Sequence, residues 1–375
     1  MLTTFFRSSS LNTLESFCQM KYFLIYTLGN QDASNLKAEM GTVVHAVMEC
    51  LAVAKKKYQD TGEMKFTIEH PATGPVEIDI NTWKKPYHLS NLEVDVINSS
   101  RINKSVYLWD CKVKYGQVYI GRELVDTLTS LCYAYYSSKS VHEWKPIDRK
   151  TIFNWVWIGL CYKDGMYDPR NLNIISPEQS FELPIERPWA KYSYDLPDGT
   201  TLDGRLAIKG TIDLITYDEE HEVVEIVDWK TGQRKDWGTG VVKNYAELKK
   251  DKQLMLYYYA ARRLYPNAKA IVLTIFFIRD GGPFSISFDD EHIEQVENFL
   301  QEKFEYTKSC ELPKMCDPTQ KDIKCKLFCS FYKKQLDGTN FCKAIHERIK
   351  KQGLPQVLSD FMDVSKLGHY QQPGE

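Results

Sequence analysis

Asp213, Asp228 and Lys230 are the residues whose types and spacing could do chemistry together. They lie in DGRLAIKGTIDLITYDEEHEVVEIVDWKTG, residues 203–232, where two short apolar runs flank an acidic turn. In an extended strand, residues two apart face the same way. Val224, Ile226, Asp228 and Lys230 therefore share a face, apolar at one end and charged at the other. Two carboxylates at neighbouring strand ends suit a hard divalent cation, Mg²⁺ or Mn²⁺. Such an ion acidifies bound water and steadies charge on a phosphoryl oxygen. A lysine beside it can orient that water or stabilise developing negative charge. Taken alone, the pattern also suits a surface hairpin whose charges face solvent.

The elements that must position these residues follow from periodicity. SFELPI, RLAIKGTIDLITY, EVVEIVDWK, AIVLTIFFI and FSISF read as strands, rich in β-branched and aromatic residues. A helix over about 245–264 separates the third from the fourth, so the sheet is mixed and has at least one parallel pair. Upstream, 10–28 reads as a helix capped by Ser10 and containing Cys18. A second helix over 34–57 places His45 and Glu49 on one face and ends on three lysines that suit the helix dipole. On such an apolar helix an isolated histidine is commonly a core residue. Residues 58–118 show little periodicity, with strand-like pieces at 76–80 and 105–113. Residues 119–138 read as a helix, and 151–160 suits a buried helix or a strand. Residues 163–178 read as loop, 290–308 as a helix, and 352–375 as a loose extension.

The 375 residues carry 43% hydrophobic and 26% charged side chains, as in a globular protein. A net charge of −2 gives no global nucleic-acid signature. Residues 321–351 nevertheless hold nine Lys or Arg against three Asp or Glu, a local +6 that suits a binding face or a solvated surface. The N-terminus lacks the pattern of a secretory signal. AIVLTIFFI is too short to span a bilayer. An intracellular, cytoplasmic setting is therefore expected, with no membrane partner. In that reducing setting clustered cysteines more often hold metal than form disulfides. Of the ten cysteines, Cys50, Cys111, Cys132 and Cys161 sit in apolar surroundings that suit a core. No GxxxxGK[ST] loop is present, so nothing points to ATP-driven unwinding.

Gly41-Thr-Val-Val-His45, Gly210-Thr-Ile-Asp213, Asp228-Trp-Lys230-Thr-Gly232 and Gln253-Leu-Met-Leu-Tyr257 occur in that order. The series resembles the RecB-like branch of the PD-(D/E)XK nuclease superfamily over 34–57 and 179–265. The resemblance implies an α/β, restriction-endonuclease-like core with a mixed central sheet flanked by helices. It implies that His45, Asp213, Asp228 and the Trp229 carbonyl hold Mg²⁺ or Mn²⁺, with Lys230 as the catalytic lysine. Gln253 and Tyr257 match a helix motif beside the site that helps position DNA. Basic residues on that helix (Lys249, Lys250, Lys252, Arg262 and Arg263) could line a phosphate groove.

Nucleases of this branch, including CRISPR-associated and AddB-type members, often hold a 4Fe–4S cluster on one N-terminal and three C-terminal cysteines. By that resemblance the ligands are Cys18, Cys325, Cys329 and Cys342, with Cys310 or Cys316 as substitutes and Zn²⁺ as the alternative metal. The gaps of three and twelve residues depart from the family's tight spacing.

The implied layout has an N-terminal helix with its cluster cysteine over 1–33, and a nuclease core over 34–57 and 179–308. An insertion covers 58–178, a Cys-rich C-terminal segment 309–345, and an extension 346–375. The implied activity is a DNA exonuclease acting on single strands or free ends, in recombination, repair or phage DNA processing, with a recombination or replication protein as partner. A structure-specific endonuclease, or a non-catalytic subunit that binds DNA ends, stays open beside it.

Overall fold

The structure is a computed structural model that describes residues 1–83, 122–235, 241–280, 282–316 and 323–367. The strand-like piece at 105–113 and Cys111 lie outside them. In chain order, β1 (Phe5–Phe6) leads into a helical segment over 8–27. Then come α1 (Leu36–Thr61), the hairpin of β2 (Lys65–His70) and β3 (Gly74–Asp79), α2 (Arg122–Lys139) and α3 (Pro146–Cys161). β4 (Ile174–Pro184), the hairpin of β5 (Lys191–Asp195) and β6 (Thr201–Arg205), β7 (Ala207–Asp218) and β8 (Val223–Lys230) follow. The chain continues through α4 (Lys252–Leu264), β9 (Ala270–Phe277), β10 (Gly282–Ser287), α5 (Asp290–Ser309), α6 (Phe341–Gln352) and α7 (Leu354–Phe361).

Among the described residues, six strands form the central mixed sheet. β7 is its spine: β4 runs antiparallel along one edge from Ala207 to Thr216. The other edge is shared, with β1 parallel at Ala207 and Ile208 and β8 antiparallel from Leu214 to Asp218. β8 pairs parallel with β9, and β9 antiparallel with β10. The shared edge therefore forks, and over 209–213 no strand pairs with it among the described residues.

Alternation along β8 divides two apolar clusters between the faces of the sheet. Val224 and Ile226 join a cluster with the N-terminal segment, α4, α5, α6 and α7. Val227 and Trp229 join one with α1, α2 and α3. α3, undecided from sequence, is a helix buried on nearly every side from Ile152 to Cys161. The expected cores around Cys50, Cys132 and Cys161 are present, each thiol fully buried.

The first 28 residues are held by the last hundred. The Met1 ammonium donates to the Thr307 and Cys310 carbonyls at 2.8 and 2.9 Å. Met20 N–H donates to Lys314 O, and Asp363 N–H to Leu28 O. Residues 354–361 are not the loose extension expected. They form a helix, because Val357 and Leu358 find the apolar surface of the first cluster and bury there. Nor does Cys18 lie within a continuous helix. Its extended backbone, φ −166°, breaks the segment between Phe17 and Gln19. No helix among the described residues is long and apolar enough to cross a membrane.

Candidate active site

The fork in the sheet opens into a large cleft. Its lining includes His45, Glu178, Lys209, Asp213, Asp228, Trp229, Lys230, Gln253 and Tyr257. β7 and β8 bring Asp213 and Asp228 side by side, since the neighbouring pair is Leu214 with Val227. Trp229 N–H donates to Asp213 Oδ2 at 2.8 Å, which ties the open edge of β7 to the end of β8.

His45 arrives from α1. Its Nδ1 lies 3.3 Å from Asp213 Oδ1, and its ring meets the Trp229 ring edge-on at 6.5 Å. Gly41, one turn earlier, permits the approach. A Cβ there would lie 2.7 Å from Thr231 Oγ1, just past the end of β8. The other expected member of that helix face, Glu49, bonds instead to His70 of β2, at 3.0 Å.

α4 supplies the roof, but the helix expected over 245–264 is interrupted. A short turn over 245–248 ends, and Asp251 caps a new helix by accepting from Gln253 N–H. Gln253 and Tyr257, four residues apart, then share a face. Gln253 Nε2 donates to Asp228 Oδ1 and to Tyr257 Oη, each at 2.8 Å. Tyr257 in turn donates to the Thr211 carbonyl at 2.6 Å, an acceptor that the fork leaves without a strand partner. The basic residues of this helix do not line the cleft. Lys252 pairs with Glu15, Arg262 with Asp290 and Arg263 with Glu297. They stand on helix faces turned away from Gln253 and Tyr257.

Glu178 is the residue that sequence reasoning missed. Pro177 pairs with Leu214 and Gln179 with Ile212, so Glu178 lies across from Asp213. It takes a left-handed φ of +47°, rare for a side chain with a Cβ. Its Oε2 is buried without a hydrogen-bond partner. The available signal was its place two residues before the expected strand SFELPI; it was read as the end of a loop over 163–178, whereas β4 already begins at Ile174.

The charges set one another. Burial and the Asp213 and Glu49 carboxylates push Glu178 up to about 8. Burial also raises Asp228, against the pull of Lys230 and with the repulsion of Asp213, to about 6. Burial would raise Asp213 as well, but His45 and Lys230 draw it below its ordinary value. Burial would lower His45 and Lys230, yet the carboxylates beside them leave both raised. Lys230 Nζ lies 2.6 Å from Asp228 Oδ2.

Among the described residues no three His, Cys, Asp or Glu side chains stand in coordinating geometry. Lys230 sits against one carboxylate and a backbone N–H occupies the other. The donor set nevertheless suits a hard divalent cation. It has an imidazole and three carboxyl groups, and both Glu178 Oε2 and Asp228 Oδ2 are buried without an aligned hydrogen bond.

The cysteines also converge. Cys18, Cys316, Cys325, Cys329 and Cys342 line one small cavity between the N-terminal segment and the C-terminal helices. Cys325 is joined to Cys316 by a disulfide, so this expected ligand is not a free thiol. Cys18, Cys329 and Cys342 are free. Burial raises Cys342 to about 11, with Cys329 and Cys18 adding to the effect. Cys310 is not among the lining residues and stands beside Tyr306, 3.8 Å from its hydroxyl.

Residues 140–332, just over half the chain, match the PD-(D/E)XK nuclease superfamily, and the chain belongs to it. That span holds Glu178, Asp213, Asp228, Lys230, Gln253 and Tyr257; His45 and Cys18 lie before it and Cys342 after it. Members typically use divalent metal ions such as Mg²⁺ or Mn²⁺, and a nuclease fold implies a DNA substrate. No curated protein matches the chain.

Proposed function

We propose that the protein is a metal-dependent DNA exonuclease of RecB-like type, hydrolysing phosphodiester bonds at single strands or free ends. What carries this reading is the meeting of His45, Asp213, Asp228 and Lys230 with Gln253 and Tyr257 in one cleft. A divalent cation supplies Lewis acidity at a phosphoryl oxygen. His45, Asp213 and Asp228 would hold it, with Glu178 and the Trp229 carbonyl completing the set.

The chain's own residues do the rest. Lys230, charged at neutral pH and near both carboxylates, orients water and stabilises charge on the pentacovalent transition state. Gln253 fixes the Asp228 carboxylate, and Tyr257 fixes Gln253 against the open edge of β7. Such groups keep the acidic side chains in position before substrate arrives.

The five-cysteine cavity supports a 4Fe–4S cluster as a second cofactor, with zinc as the alternative. Cys18, Cys329 and Cys342 would supply three thiolates, and two-electron reduction of the Cys316–Cys325 bond by a cellular thiol would free Cys325 as the fourth. A cluster there would fasten the two chain ends that already meet.

A role in recombination, repair or phage DNA processing, inside a cell and beside a replication or recombination protein, belongs to the same reading. The test is Mn²⁺-dependent digestion of 5′- and 3′-labelled linear DNA, single- and double-stranded, beside closed circles. Release of short products from linear DNA alone supports an exonuclease. Cutting of circles supports the endonuclease, and binding in EDTA with no digestion after Mn²⁺ is restored supports a non-catalytic subunit.

A further inference from the structure

The cleft extends beyond the acidic centre, and its far end is basic. β1 runs parallel to β7 with Phe5 beside Ala207 and Phe6 beside Ile208. The next residues on the two strands are Arg7 and Lys209, and both line the cleft with Ser8, Ser9 and Asn12. They stand where the fork begins, on the two sides of its apex. Phe5 holds them together: the Arg7 guanidinium carbon lies 5.7 Å and the Lys209 ammonium 4.9 Å from the centre of its ring.

Distance along β7 gives this basic end a meaning. Lys209 precedes Asp213 by four residues on the same strand face, roughly 13 Å at about 3.3 Å per residue. In a stacked DNA strand, phosphates advance by about 3.4 Å each along the axis, so the span covers roughly four nucleotides, and fewer in an extended strand. The cation pair thus lies a few nucleotides from the bond that would be cut. An acidic group faces the lysine. Glu182, directly across on β4 and also lining the cleft, lies 2.9 Å from the Lys209 ammonium. Its side chain is 62% exposed, whereas that of Lys209 is 15% exposed. The lysine is held in place, and the carboxylate can swing aside for a phosphate.

We infer that Arg7 and Lys209 form a backbone-phosphate subsite that holds the DNA strand a few nucleotides from the acidic centre, with Glu182 as the internal anion that the phosphate displaces. The inference rests on the nuclease reading of the cleft. Phosphate contacts position a strand without reading its sequence, so the subsite would act alike on all sequences.

The test is binding of fluorescein-labelled oligo(dT) in EDTA across a salt series, with Mn²⁺-dependent digestion of the same oligonucleotide alongside. Arg7→Gln and Lys209→Gln should each weaken binding several-fold. Each should also lower the slope of log affinity against log salt by about 0.7, one released counterion on a single strand. Glu182→Gln should tighten binding, a change of opposite sign that damage to the fold would not produce. Lys209 packs on Phe5, so Arg7→Gln and Glu182→Gln keep the test open if the lysine variant misfolds. Unchanged affinity and slope in Arg7→Gln and Glu182→Gln, in a protein that still digests DNA, would overturn the subsite and leave the nuclease reading standing. A wild-type protein that neither binds nor digests would overturn both.

Discussion

Gln253 of α4 and Asp228 of β8 lie 25 positions apart in the chain, yet the amide of one holds the carboxylate of the other at 2.8 Å. Asp228 is 1% exposed, so its orientation depends on Gln253 and Lys230 rather than on water. Gln253→Ala should lower Mn²⁺ affinity by about 10- to 100-fold, the usual cost of losing a group that orients a ligand. Titration calorimetry with Mn²⁺ and the Mn²⁺ dependence of digestion both read it. Equal affinity in the variant would mean that Gln253 serves only to anchor Tyr257.

Lys230→Met should reduce digestion by about 10²- to 10³-fold at saturating Mn²⁺, the scale for losing one positioned electrostatic group. The metal-free variant should also be less stable, because Asp228 keeps its burial and loses its cation. Breaking a fully buried pair costs roughly 3–5 kcal/mol; Lys230 is 30% exposed, so the loss should fall below that range. Urea unfolding in EDTA measures it. Retained digestion would remove Lys230 from the mechanism.

Glu178 should leave a mark on the pH dependence of stability. Its carboxyl titrates at about 8 in the folded protein against an ordinary 4.5. Between those values the folded state keeps a proton that the unfolded chain has lost. Stability contributed by this group is therefore full below the lower value and falls as pH rises towards 8. In EDTA, Glu178→Gln should flatten the decline of Tm over that window. Parallel Tm curves for the two proteins would show that Glu178 ionises as an ordinary surface group does.

Gly41→Ala tests the approach of α1 to β8. The added methyl would meet Thr231 Oγ1 at 2.7 Å, so the helix must shift and carry His45 with it. A loss of about 1–3 kcal/mol is expected from overpacking, together with weaker Mn²⁺ binding. Thr231→Ala in the same chain removes the hydroxyl and should restore both. Failure of that rescue would place the strain elsewhere.

The cysteine cavity gives a spectroscopic test. Protein purified without oxygen from iron-supplied cells should be brown and absorb near about 400 nm, as thiolate-ligated iron does. Cys18→Ala and Cys342→Ala should lose the colour. Colourless protein carrying stoichiometric zinc would decide for the other metal.

The parts of the site that were legible in the sequence are those with one-dimensional regularity. Asp228 and Lys230 sit two apart on a strand, and Gln253 and Tyr257 four apart on a helix. The mixed sheet and its parallel β8–β9 pair followed from a helix lying between two apolar runs. Glu178 was hidden because Pro177 and a left-handed φ interrupt the first half of β4, which read as loop. β1 is two residues long, too short for any period, although it places Arg7 at the cleft. α3 is apolar on nearly every face, so its period carried no contrast. The basic residues after β8 misled because charge alone does not reveal facing. Their acidic partners lie near the N-terminus and on α5, far away in sequence.

The contacts between the first 28 residues and residues 307–363 also set a schedule for synthesis. Met1, Met20 and Leu28 must wait for partners some three hundred positions downstream. A nascent chain that has emerged only through α4 already carries His45, Asp213, Asp228 and Lys230. It still lacks the C-terminal groups that hold β1 and the segment behind it in place. Contacts of such sequence separation form late. The strand beside Arg7 would therefore be secured only after residues up to 363 have emerged, and shorter nascent chains would hold the acidic centre without a finished track leading to it.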